Sequence, residues 1–168
     1  MASKILDATS FYAGIPFSSQ ETSFTTPLVF EEIKHIKIRQ GAIDVLIQSN
    51  RLKIVEPQRE FVDRVLKEAN KTGDIQSLSD EDVSIIALCL QLSGELVTDD
   101  FAISNVAKHL NLKVNPVMTS GIAKVKDWIY FCSGCHKTFS GISHCPICGN
   151  KLARRLAKRK SSSNPIDK

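Results

Sequence analysis

Lys4-Ile5-Leu6-Asp7-Ala8-Thr9 is the stretch on which the fold turns. Two apolar residues deliver one carboxylate, and small residues follow it. That is the pattern of a short buried strand ending at an acid. A carboxylate in such a place has few purely structural uses, because burying it without partners is costly. Asp7 is therefore the first candidate in a set of acids gathered to hold a divalent metal.

Outward from this strand, apolar runs alternate with helical periodicity. Ser10–Ala13 reads as a short helical segment broken by Gly14 and Pro16, and residues 17–25 as a polar loop. Thr26-Pro27 opens a helix, with Thr at the N-cap, Pro at the first position and Leu28, Val29, Ile33 and Ile36 on one stripe. Residues 42–49 predict another helix. Residues 52–56 predict a second strand, Gln58–Asn70 an amphipathic helix stopped by Gly73, and Ser79 the cap of a further helix that runs to Gly94. A third strand is expected at 95–98, a helix at 101–110 and a fourth strand at 113–118, which Pro116 confines to an edge. Strands alternating with helices give the α/β class, with a mostly parallel sheet covered by helices on both faces. The expected boundaries are a main domain over 1–119, a linker over 120–127, a cysteine module over 128–153 and a basic, Ser-rich, disordered tail over 154–168.

The chain has 168 residues, 42% of them hydrophobic, enough for one packed core and a small module. No apolar run approaches the roughly 18–20 residues of a membrane span. The N-terminus lacks a basic stretch followed by a long apolar one, so no membrane association and a cytoplasmic location are expected. Charge is unevenly spread. Residues 1–119 hold 16 acids against 12 bases, whereas residues 120–168 hold 10 bases against Asp127 and Asp167. This is either a solubilising tail or a polyanion-binding arm on an acidic body.

In open parallel sheets, ligands sit at the carboxyl ends of the strands. Asp7 ends the first strand there, and Asp99 and Asp100 follow the third. Glu31, Glu32 and Asp82 lie near helix starts that can face the same edge. Oxygen ligands in this number suit Mg²⁺ or Mn²⁺. Each acid also has a structural reading. Asp80, Glu81 and Asp82 complement a helix dipole, Asp99 or Asp100 suits an N-cap, and Glu31 and Glu32 suit a solvated face.

Near the C-terminus, Cys132-Ser-Gly-Cys135 and Cys145-Pro-Ile-Cys148-Gly149 form two knuckles with four thiolates. So few residues make no hydrophobic core, so a structural Zn²⁺ ribbon is expected, folded by its metal. A rubredoxin-like iron centre has similar spacing. His136 and His144 beside the knuckles read as exposed or facing a polyanionic partner, and His35 and His109 as structural or exposed. Cys89 on an apolar helix side reads as a core residue. Lys137, Lys151, Arg154, Arg155, Lys158, Arg159 and Lys160 supply a phosphate-binding surface. Trp128, Tyr130, Phe131 and Phe139 suit either packing or base stacking.

Four stretches resemble, in order, the acidic motifs of PIN-domain ribonucleases. These are Ile5-Leu6-Asp7-Ala8-Thr9, Thr26-Pro27-Leu28-Val29-Phe30-Glu31-Glu32-Ile33, Leu78-Ser79-Asp80-Glu81-Asp82 and Val97-Thr98-Asp99-Asp100. The last two, with the cysteine pairs, are similar to the Nin-one-binding branch, endonucleases that mature the 3′ end of small-subunit ribosomal RNA. The resemblance spans roughly residues 4–152. It implies a PIN domain followed by a zinc ribbon, with Asp7, Glu32, Asp82 and Asp100 as the catalytic acids. Asp7, Asp82 and Asp100 would be Mg²⁺ or Mn²⁺ ligands and Asp99 a helper. It implies hydrolysis of an RNA phosphodiester to a 5′-phosphate and a 3′-hydroxyl, with precursor ribosomal RNA and the small ribosomal subunit as partners. The competing readings are a toxin-like PIN ribonuclease acting on other RNA, a non-catalytic RNA-binding assembly factor, and an electron-transfer protein if the ribbon held iron.

Overall fold

The computed structural model describes residues 2–35, 40–118 and 127–157. In chain order the elements are β1 (Lys4–Leu6), α1 (Ala8–Tyr12), α2 (Ile15–Ser18), β2 (Ser23–Thr25), α3 (Pro27–Ile33), α4 (Gln40–Gln48) and β3 (Leu52–Ile54). They continue with α5 (Arg59–Thr72), a 3-10 turn (Ile75–Ser77), α6 (Asp80–Leu92), β4 (Glu95–Val97), α7 (Phe101–His109) and β5 (Lys113–Asn115). The last three are β6 (Trp128–Phe131), β7 (Thr138–Phe139) and β8 (Ala153–Leu156).

The first five strands form one parallel sheet in the order β3-β2-β1-β4-β5. β1 and β4 run through the core: Ile5, Leu6 and Leu96 are fully buried. Helix α6 is buried along Val83–Cys89 without a break, because it packs on β1 and β4 while α3, α5 and α7 surround it. Such a helix reads as hydrophobic all round and carries no amphipathic stripe. β5 is an edge strand, as expected, but it covers only Lys113–Asn115 and stops before Pro116, which has no N–H to continue the ladder.

Three local expectations are corrected. Residues 23–25 form a strand inside what reads as a polar loop, since Ser23 and Thr25 are buried and Thr25 Oγ1 donates to the Leu6 carbonyl at 3.0 Å. Pro16 opens α2 rather than breaking a helix, because the first turn needs no N–H from it. The tail does not begin at 154. Residues 153–156 are β8, which pairs antiparallel with β6 in a second sheet of order β7-β6-β8. The apolar β6 needs a partner on its second edge, and β8 supplies one whose arginines cover its rings. Arg154 lies 4.3 Å over Trp128 and Arg155 4.5 Å over Phe131. Ile36, residues 120–126 of the expected linker and 158–168 of the expected tail lie outside the described residues. Among the described residues no helix is long and apolar enough to cross a membrane.

Candidate functional site

The sheet order reverses between β1 and β4: β2 and β3 continue beyond one, β5 beyond the other. A crevice opens at the carboxyl ends of strands that part in this way. Asp7 stands there as the first residue after β1, and Thr98, Asp99 and Asp100 follow β4.

Asp7 is 6% exposed and caps α1. Its Oδ1 accepts from the Ala8 N–H at 2.5 Å, and its Oδ2 from Thr98 Oγ1 at 2.7 Å and Thr9 Oγ1 at 3.1 Å. Thr98 Oγ1 in turn accepts from the Asp100 N–H at 3.0 Å. Asp100 caps α7, its Oδ1 accepting from the Ile103 N–H at 2.9 Å. Asp82 closes a capping box at the start of α6. It accepts from the Ser79 N–H at 2.8 Å while Ser79 Oγ accepts from the Asp82 N–H at 3.2 Å.

These acids feel one another's charge. Burial raises the Asp82 carboxyl above the usual range, bonds from Ser79 oppose this, and the charges of Asp100 and Asp7 raise it further. Glu32, an exposed residue with only partial burial of its carboxyl, is raised first by that desolvation and then by the charges of Asp7, Glu81 and Asp82. Of the two neighbours, Glu32 feels the charges of the cluster, while Glu31 pairs with Lys34 one turn on. Asp99 turns elsewhere, its two oxygens accepting from the Val117 and Met118 N–H groups at 2.9 and 2.8 Å. Thr98 is the residue that sequence reasoning missed. Its place beside the acids was visible, but its bond to Asp7 spans 91 positions.

Acceptor-only carboxylates that raise one another's pKa fit a hard divalent cation, which would offset their repulsion. Among the described residues no three of these acids bring oxygens within 4.8 Å of one another. Without a cation the cluster is a cost to folding. Glu32 is protonated more readily in the folded chain, so stability falls as pH rises from its ordinary 4.5 through the raised value. Glu32→Gln is thus expected to raise the melting temperature of the cation-free chain at neutral pH, read by a thermal melt. Glu32 is exposed and solvent-screened, so the gain is small, about 1–2 °C.

The four cysteine sulfurs do close into a set, all within 4.8 Å of one another. Cys132 and Cys148 sulfurs are 3.3 Å apart, and Cys135 and Cys145 sulfurs 3.5 Å. A tetrahedral ion with bonds of about 2.3 Å asks for sulfur separations of about 3.8 Å, so the donors fit such an ion with a small expansion. Backbone N–H groups of Cys135 and Ile147 point at the sulfurs of Cys132 and Cys145. Gly149 takes the left-handed conformation, φ 74°, that closes the second knuckle. Cys89, by contrast, donates to the Gly94 carbonyl and burial pushes its thiol up to about 12, so it is an inert core residue.

The basic surface divides. Lys137, Lys151 and Arg155 are exposed on the small module. Arg154 is engaged with Ser77 and Asp74. Lys158, Arg159 and Lys160 lie outside the described residues. Trp128 and Tyr130 are used in packing, the latter donating to the Gly73 carbonyl at 2.7 Å. Phe131 lies beside His136, ring centroids 5.9 Å apart. His35 is exposed, and His109 sits 3.3 Å from Asp127.

The family model described as "PIN domain of ribonuclease" matches residues 5–92. The endoribonuclease Nob1 of Methanocaldococcus jannaschii is 36% identical over 94% of this chain and 80% of its own length. Ribonuclease VapC1 of Thermoplasma acidophilum is 42% identical over 79% of this chain and 68% of its own. The 20S-pre-rRNA D-site endonuclease NOB1 of Saccharomyces cerevisiae is 33% identical over 48% of this chain and 17% of its own.

Proposed function

Because the chain belongs to the PIN-domain endoribonucleases of the Nob1 family, we propose that it hydrolyses precursor small-subunit ribosomal RNA at its 3′ end. The observation that carries this reading is the electrostatic convergence of Asp7, Glu32, Asp82 and Asp100 at the switch between β1 and β4. PIN nucleases depend on a divalent metal, and Asp7, Asp82 and Asp100 are the residues that would hold Mg²⁺ or Mn²⁺. That ion supplies charge neutralisation at the phosphate and a more acidic water. Asp7 keeps one oxygen on the α1 cap and presents the other, fixed by Thr98 and Thr9. Glu32, with its raised pKa, is suited to accept a proton and orient the attacking water. Lys137, Lys151 and Arg155, with the basic residues that follow, hold RNA phosphates against the repulsion of the acidic body. The cysteine set holds one structural Zn²⁺. The expected setting is the small ribosomal subunit in the cytoplasm.

The experiment is a cleavage assay with Mn²⁺ and an RNA spanning the small-subunit 3′ end, beside unrelated RNAs of equal length. A single cut in the first RNA supports the reading. Equal cutting of all of them favours the second reading, a toxin-like ribonuclease, to which the similarity with VapC1 lends weight. Binding without cutting favours an assembly factor.

Thr98→Val tests the support of Asp7. The methyl group fills the space but removes the hydrogen bond to Asp7 and the acceptor for the Asp100 N–H. Losing an outer partner of a metal ligand typically costs 10–100-fold. A loss of about that size in cleavage rate is expected, with a matching rise in the Mn²⁺ concentration for half activity.

A further inference from the structure

The small module docks on the segment that ends α5 and leads into α6. Gly73 ends α5 in the left-handed conformation, φ 79°, with the Trp128 backbone so close that a Cβ would overlap its carbonyl. The next residue, Asp74, has no solvent exposure. Its Oδ2 accepts from Thr72 Oγ1 at 3.0 Å and Asn105 Nδ2 at 2.6 Å. Among the described residues its Oδ1 has no hydrogen-bond partner, and it faces the Arg154 guanidinium at 3.6 Å. The same Arg154 nitrogen donates to Ser77 Oγ. A buried carboxylate with one oxygen unsatisfied is expensive unless a cation stands beside it. Arg154 is that cation, and it comes from the module.

Ser77 lies two residues before Ser79, whose capping box fixes Asp82. Asn105 lies on α7, five residues after its cap Asp100. Asp74 therefore joins the end of α5, the turn into α6 and the body of α7, and Arg154 closes the junction from outside.

We propose that Arg154 is a positioning residue of the acid site: it pins residues 73–79 and, through them, Asp82 and Asp100, so that folding of the cysteine module sets the cation affinity of the nuclease site. This rests on reading the acids as a cation site. It separates Arg154 from its neighbour Arg155, which lies over Phe131 and, among the described residues, makes no such contact with the body. Arg154 is thus removed from the phosphate-binding set and given a different task.

The test uses the full, zinc-loaded chain and two measurements. One is Mn²⁺ binding without RNA, followed by the loss of the free-ion paramagnetic resonance signal. The other is single-turnover cleavage as a function of RNA concentration. Arg154→Ala is expected to weaken Mn²⁺ binding about 10-fold, Ser77→Ala about 3-fold and Arg154→Lys by an intermediate amount, the range of energetic coupling between linked sites. In each the maximal cleavage rate falls while half-saturation by RNA stays within about two-fold. Arg155→Ala gives the opposite split, with weaker RNA saturation and unchanged Mn²⁺ binding. Wild-type Mn²⁺ affinity in both Arg154→Ala and Ser77→Ala overturns the proposal, as does an Arg154→Ala variant that changes only RNA saturation. If Arg154→Ala sheds zinc, Ser77→Ala decides alone by the same readings, since it alters no residue of the module. The Mn²⁺ titration contains no RNA, so a wild-type chain that binds Mn²⁺ but spares ribosomal RNA counts against the substrate reading only.

Discussion

Asp7→Asn is expected to abolish cleavage and leave the fold standing. Asparagine caps a helix as well as aspartate does, so the bond from the Ala8 N–H survives. The new amide faces Thr98 Oγ1, which has lone pairs to accept from it. What disappears is one negative charge of the acid cluster, the one acid outside the pair whose charge raises both Glu32 and Asp82. Charge stabilisation by a catalytic cation is worth several kcal/mol, so the single-turnover rate should fall by about a thousand-fold or more. A thermal melt should shift by no more than about 2 °C, and upward, because a repulsive charge has gone. Cleavage equal to wild type would remove Asp7 from the mechanism.

The second large effect is removal of the module's metal. Its apolar core consists of Tyr130 and Leu152 with two of the cysteines, and Phe139 and Ile142 packed against them. Burying a few such side chains stabilises by about 1.5–3 kcal/mol each, against the entropy of ordering some thirty residues at 1 kcal/mol or more apiece. Structural zinc contributes about 10–16 kcal/mol in comparable modules. Cys132→Ser or a strong chelator should therefore unfold β6, β7 and β8 together. Hydrogen exchange should show protection lost across 128–156 while β1 and β4 stay protected. RNA affinity should fall by about ten-fold or more, as the phosphate contacts proposed for Lys137, Lys151 and Arg155 would no longer be held together. Metal analysis should return one zinc per chain. Iron in its place would overturn the ribbon assignment.

Much of this architecture can be read from the chain because its long helices carry explicit stops and starts: Ser79 before α6, and Gly73 after α5 in the left-handed conformation. The parallel sheet follows from the alternation of those helices with apolar triplets. β2 cannot be read the same way. A three-residue strand is shorter than any periodicity, and its inward residues, Ser23 and Thr25, are polar because the Thr25 hydroxyl is spent on the Leu6 carbonyl. β8 hides for a related reason. Arg154 and Arg155 look like a solvated tail until their side chains are seen to lie over Trp128 and Phe131. In the site, the four acids are visible by residue type and by their place at strand ends and helix starts. Which of two neighbours faces inward is a matter of one 100° step along a helix, and only contacts made across the fold decide it. Asp99 shows this best, since its backbone partners on the stretch after β5 have no local signature.

Three of the four acids at the switch point also hold helix ends: Asp7 and Asp100 as N-caps and Asp82 within a capping box. This has a consequence for descent. At the two N-cap positions the backbone asks for a short side-chain acceptor, which asparagine and serine supply as well as aspartate. Aspartate and asparagine codons differ by one base. A duplicated copy released from selection therefore has a short route that silences hydrolysis without forfeiting solubility or docking. Inert descendants of this chain are expected to keep the same caps, with asparagine or serine at positions 7 and 100, and to persist as folded RNA-binding scaffolds.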